Sequence, residues 1–345
     1  GKWSLVNMLV MVLFMVAFRF DISTSDCPAN VLEELFGSVG VVANISIYVQ
    51  PLLSFHIFLF ATLSSLVLGH VMTSCHRYAH QICEYGIVRA QGNGCTQRRR
   101  LCNVHRPAGW KGRLYTFGVA LALALSFLLM LVGILQDSFK FTFEGLSGFM
   151  LGEEGRVRPF SVFSLAKAVP FSNPDPNSIS LRLIQLTFTI FTTIVPLVFP
   201  WVLLVLWCAP LSERVQQRLY VTAQVLYAWS ALDVFVVSIM AGMLEIQRFT
   251  LSIVGHKCDG INSLLRRLPL ADALHGKMVC YDLDAELVAG FWVLLVAALI
   301  SNFVGIKVMR KCSSALCAPA RPAAPRDQPL GALGDEAALT GPLSA

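Results

Sequence analysis

Charge is what this chain has least of. Only 14% of its 345 residues are Asp, Glu, Lys or Arg, whereas 55% are hydrophobic and mean hydropathy is +0.64. An ordinary soluble domain carries about a quarter charged residues, so that class is excluded. The apolar stretches could be buried only if polar helices covered them, and the sequence has none. Signatures of chemistry are lacking too. There is no Gly-x-Ser-x-Gly, no phosphate loop, no His-Glu-x-x-His and no carboxylate pair at useful spacing. No enzyme and no cofactor are therefore expected. Cys-x-x-Cys is also absent, and Cys75, His76, His80, Cys83, Cys95, Cys102 and His105 are poorly spaced for tetrahedral zinc, so no metal is expected. The chain opens at Gly1 rather than Met, which reads as a sequence lacking its own beginning.

What is present is a set of long apolar runs. A crossing of the hydrocarbon core needs about 17 to 25 residues in a helix, and six such runs occur, near residues 3–20, 52–74, 114–136, 182–208, 226–246 and 286–308. The expected fold is an all-α integral membrane protein with six transmembrane helices. Between Cys75 and Arg113 there are eight basic residues and one acid, Glu84. Basic loops stay in the cytoplasm, so this loop and the C-terminus are expected to be cytoplasmic. The net charge of +6 is then explained by topology and anionic headgroups, with no nucleic-acid partner. Residues 313–345, rich in Pro, Ala and Gly, are expected to be a disordered cytoplasmic tail.

The chain also repeats itself. Residues 54–75, "SFHIFLFATLSSLVLGHVMTSC", align with residues 290–312, "GFWVLLVAALISNFVGIKVMRKC", through one single-residue gap. Upstream, Trp3, Ser4 and Asn7 correspond to Trp229, Ser230 and Asp233, and each set is followed by an outer loop with an early cysteine. Two further crossings precede the second copy only. The expected organisation is therefore half a module over residues 1–75, a basic loop over 76–113 and a complete four-helix module over 114–312, one and a half copies in all.

"AWSALDVFVVSIMAGMLEI", residues 228–246, resembles the Trp-Ser/Met-x-x-Asp/Glu-Val-Phe signature of the paraquat-inducible protein A family, and the resemblance extends over residues 1–312. Members are multi-pass proteins built from two related four-helix modules, and bacterial ones act beside lipid carriers in moving phospholipid between membranes. The resemblance thus implies phospholipid transport or membrane homeostasis, with membrane lipids and a lipid-carrier protein as partners. The chain departs from the family in lacking Cys-x-x-Cys zinc ribbons and in having Asn7 where the second copy has Asp233.

Asp233 is the first candidate site residue, because a carboxylate within a crossing costs a few kcal/mol or more if it faces lipid. In a continuous helix it would share a face with Trp229. It would then bind a headgroup, relay a proton, or simply cap or snorkel near the interface. His56, Ser64, Ser65, Gln185, Ser238, Ser301 and Asn302 are expected to serve mainly in helix packing. Pro196 and Pro200 each remove a backbone donor, giving a kink that lines a cavity, acts as a hinge, or is a fixed bend. Cys258 and Cys280 bracket an outer loop and are a candidate disulfide, with Cys27 as competitor. Cys75, Cys312 and Cys317 are candidates for palmitoylation. Two readings compete with lipid transport: a tetraspanin-like scaffold and a proton-coupled small-solute transporter.

Overall fold

The structure, a computed structural model, describes residues 2–23, 44–47, 49, 51–88, 110–265 and 279–316. Most of these are helical. Five segments are long and apolar enough to cross a membrane: Leu53–Cys75, Trp110–Leu135, Ile179–Cys208, Val215–Ile246 and Ala289–Ser314. These five mark the chain as a multi-pass integral membrane protein. Their outward faces agree, since Phe60, Leu68, Phe117, Leu128, Leu244 and Phe303 are exposed, an arrangement that water would penalise and lipid does not.

The sixth expected crossing is shorter. Helix α1, Val6–Ala17, follows a 3-10 turn at Lys2–Leu5 and has 12 residues, a rise of about 18 Å against a core of about 30 Å. Eight of the 12 are buried, as expected of a helix that is apolar all round.

The long helices are α2 (Leu53–Val88), α3 (Trp110–Leu135), α7 (Ile179–Thr189), α8 (Val195–Cys208), α9 (Glu213–Trp229), α10 (Leu232–Leu265) and α11 (Ala289–Leu316). Helix α2 continues beyond its apolar span to Val88, so the first part of the basic segment after residue 75 is helical. Helices α3 and α11 run antiparallel and close together. A Cβ on Gly133 would lie 2.8 Å from Leu294 Cγ, and Ser126 Oγ donates to Ala297 O at 3.4 Å.

Outside the bundle the mostly helical chain adds two small sheets to the expected all-α fold. Strands β1 (Phe20–Ser23) and β2 (Asn44–Ile47) pair antiparallel. Strands β3 (Phe139–Glu144), β4 (Val157–Phe160) and β5 (Asp282–Leu287) form an antiparallel sheet in the order β4-β3-β5. The run "FKFTFE" alternates apolar and polar residues, the period of a strand with one face buried; Phe139, Phe141 and Phe143 are buried. On the other face Lys140 pairs with Glu286 at 2.8 Å, across the register Lys140↔Glu286. Asp282, Asp284 and Glu286 are therefore strand residues. Between β3 and β4 lie the short helices α4 (Gly145–Met150) and α5 (Gly152–Arg156), and α6 (Val162–Ala168) follows β4, started by a Ser161–Ser164 capping box. The cap is tied to the bundle where α3 ends and α11 begins, through Gly290 N–H to Asp137 O at 3.1 Å. It also holds the end of α1, through Arg158 Nη1 to Arg19 O at 2.9 Å.

The hydrophobic core falls into two clusters. The larger runs from the cap to the middle of the bundle and includes Phe141, Phe188, Phe235 and Ala297. The other fills the opposite end with Leu123, Phe199, Trp207, Val308 and Cys312. Polar side chains collect where they meet.

Candidate functional site

The Trp229–Ser230 motif is where a membrane-spanning helix breaks. Helix α9 ends at Trp229 and α10 begins at Leu232, with Ser230 extended at ψ 113. Ala231 starts the new helix by accepting from Phe235 N–H at 2.8 Å. A break inside a bilayer frees backbone groups that lipid cannot satisfy. Here the freed Ala231 N–H donates to Phe191 O at 3.0 Å.

That carbonyl is available because of a second irregularity. Residues Ile190–Ile194 form a π-turn, and Val195 N–H reaches back to Ile190 O rather than to Phe191 O. The residue after Val195 is Pro196, which has no N–H to offer. The wide turn and the missing donor leave Phe191 O free on its own helix, and the broken helix beside it supplies the partner. Thr192 Oγ1 donates to Phe188 O at 2.7 Å within the same turn. Pro196 thus belongs to a site of irregular backbone, whereas Pro200 sits inside α8, buried.

Asp233 is consequently in the first turn of a helix rather than one turn inside one. The N-terminus of a helix favours a negative charge, and Asp233 Oδ1 accepts from Val234 N–H at 2.9 Å. The other oxygen, Oδ2, accepts from Lys2 Nζ at 2.7 Å and from Asn302 Nδ2 at 3.3 Å. The Lys2 and Asp233 side chains are only 13% and 20% exposed, so the pair is largely desolvated. Lys2 Nζ also lies 4.8 Å from the centroid of the Tyr227 ring. Asn302 is midway along α11, which runs from Ala289 to Leu316. The ion pair is therefore deep in the bundle, far from both helix ends.

Aromatic groups wall the break. Trp229 stacks on Phe191 with centroids 5.4 Å apart, and His70 of α2 lies 5.5 Å from Trp229 on centroids. Trp229 Nε1, Thr193 Oγ1 and Gln224 Oε1 are buried without a hydrogen-bond partner. Such groups are uncommon in folded proteins.

The sequence candidates divide accordingly. Trp229, Ser230 and Asp233 assemble at the break. Their counterparts do not join it, since Trp3 and Asn7 are exposed and the side chain of Ser4 lies outside the described residues. What the N-terminal segment contributes instead is Lys2 and the flank of α1. Ser238 Oγ donates to Val6 O at 3.5 Å, and Leu13 packs against Gly242. These contacts, with Lys2 on Asp233, advance along both chains together, so α1 and α10 run parallel. His56 bonds to Ser180 Oγ near the cap end, away from the break. Cys280 is disulfide-bonded, while the side chain of Cys258 lies outside the described residues, as does Cys317. Cys75 is exposed, but Cys312 is buried; enclosed by α8 and α9 side chains, it is removed from the acylation candidates. Among the described residues no group of His, Cys, Asp and Glu can hold a metal ion.

The chain matches no family model, no curated protein and no solved structure.

Proposed function

We propose that this chain takes part in phospholipid transport, as a membrane protein of the paraquat-inducible protein A type, and that the broken helix around Asp233 is where a headgroup is held. The observation that carries the reading is a buried Lys2–Asp233 pair at 2.7 Å beside a helix break at mid-bundle. A phospholipid headgroup with phosphate and ammonium is itself a neutral pair of opposite charges. It can replace one intramolecular ion pair with two intermolecular ones, phosphate on Lys2 and ammonium on Asp233, without changing the net charge of a low-dielectric site. The orphaned Trp229 Nε1 and Thr193 Oγ1 add hydrogen-bonding capacity for a polar guest. Broken helices near the midplane are where many transporters bind substrate.

In this reading the chain holds one and a half modules, and α1 is the half of a sixth crossing that runs from the level of Asp233 to the strand cap. Helix α1 is the counterpart of the half of α10 that starts at Leu232, and the two stand side by side. The basic segment between α2 and α3 and the C-terminus are cytoplasmic, and the strand cap covers the opposite face. Lipid reaching the break passes to a carrier protein at one membrane surface. The proton-coupled solute reading draws on the same ion pair and differs in its guest.

The test is a photoactivatable phosphatidylethanolamine in bilayers holding the full chain. Cross-links should map to peptides around Phe191 and Trp229–Asp233. Cross-links confined to the outward faces of α2 and α3 would refute a headgroup site at the break.

A further inference from the structure

A second lipid-sized feature lies at the end of the bundle opposite the cap. Helices α3 and α11 line a groove of about 240 Å³ there, walled by Tyr115, Gly118, Ala122, Phe303 and Lys307 among others. It is smaller than the pockets that enclose a drug-sized ligand, roughly 300 Å³ or more, and it is open along one side. Its floor is empty at Gly118, where an added Cβ would meet no atom within 4 Å. Such a trough fits a length of acyl chain rather than a compact solute.

The charge that α3 and α11 bring to this end is of one sign. Helix α3 carries Lys111 and Arg113, and α11 carries Lys307, Arg310 and Lys311, while neither helix contains Asp or Glu. Because the helices are antiparallel, all these cations fall at one end. Lys307 Nζ lies 4.0 Å from the Phe303 centroid and Lys311 Nζ 3.9 Å from the Tyr115 centroid. Among the described residues neither ammonium has a carboxylate partner. Snorkelling brings a lysine to the interface, but it does not set two of them on the rings that wall one groove.

We infer that the α3–α11 groove binds an anionic glycerophospholipid of the adjoining leaflet, with its phosphate between Lys307 and Lys311 and one acyl chain along Gly118 and Ala122. The inference needs only that these helices lie in a bilayer, and it stands apart from the Asp233 site.

Full-length protein would be washed in detergent with phosphatidylglycerol or phosphatidylcholine of identical chains, and retained lipid counted by native mass spectrometry. Two ammonium groups should favour phosphatidylglycerol about tenfold or more. Lys307→Gln/Lys311→Gln should bring that ratio near one. Gly118→Leu sets its Cβ in open space, so the variant should still fold, with a melting temperature no lower than the parent's, and should expel both lipids while the charges remain. Asp233→Asn should leave the preference intact, which separates failure here from failure of the transport reading. A phosphatidylglycerol preference that survives both groove variants would overturn the inference, as would its full displacement by inorganic phosphate.

Discussion

Substituting the Lys2–Asp233 pair gives an ordered set of stability losses. At 2.7 Å and an effective dielectric of about 20, the Coulombic attraction is about 6 kcal/mol before desolvation is counted. Desolvation offsets much of this, so the net worth of the pair is small, but breaking it from one side is costly. Asp233→Leu leaves the Lys2 ammonium, 13% exposed, with only the Tyr227 ring, and should cost about 3–5 kcal/mol. Lys2→Met should cost less, about 1–3 kcal/mol, because the stranded carboxylate keeps Val234 N–H, Asn302 Nδ2 and the helix N-terminus. The double variant Lys2→Met/Asp233→Leu removes both charges and should return close to the parent. Its loss should fall below the sum of the single losses by about 3 kcal/mol or more. Urea or SDS unfolding in mixed micelles measures all four proteins. Additivity within about 0.5 kcal/mol would show that the two groups do not meet as described.

Three other outcomes follow from particular contacts. Gly290→Ala should destabilise by about 1–3 kcal/mol in a detergent melt, because its Cβ would run into the backbone of Asp137 where the cap joins α11; an unchanged melting temperature would count against that junction. Pro196→Ala restores an N–H that competes for the helix carbonyls near the π-turn, weakening the Ala231-to-Phe191 bond of 3.0 Å. Loss of one hydrogen bond is worth about 0.5–1.5 kcal/mol, so exchange of the Ala231 amide should speed up by about threefold to tenfold, and equal rates would uncouple the two irregular helices. Maleimide should label exposed Cys75 in the folded protein and reach buried Cys312 only after denaturation; equal labelling would contradict the packing of α11.

The membrane crossings were legible because each is set by its own apolar run. Each of the five long spans begins or ends within about three residues of the expectation, and the largest departure is Val215–Ile246, which starts some eleven residues early. There the amphipathic stretch before the Trp-Ser motif is helical and joins the span. Placing Asp233 on a face with Trp229 failed for a related reason. No Gly or Pro stands at Ser230–Ala231 to announce a break, and the break is stabilised by a carbonyl about forty positions earlier in the chain. Asn302 by itself fits helix packing, and Lys2 carries no local signal; each acquires its role only when α10 is set beside α1 and α11. The sheet had a visible local sign in the alternation of "FKFTFE". Its partner "DLDAEL" carries no such sign, because a strand of this composition is recognisable only through what it pairs with.

The most direct measurement is phospholipid exchange between donor and acceptor vesicles by the reconstituted full-length chain, with and without Asp233→Asn. The asparagine keeps the shape of the site and removes the charge that would meet a headgroup ammonium. Exchange above protein-free vesicles that falls at least about tenfold in the variant, with equal incorporation and both proteins folded at the assay temperature, is the expected result, a loss of about 1.4 kcal/mol of barrier lowering. Exchange at the same rate in both proteins would contradict a transport role for the broken-helix site.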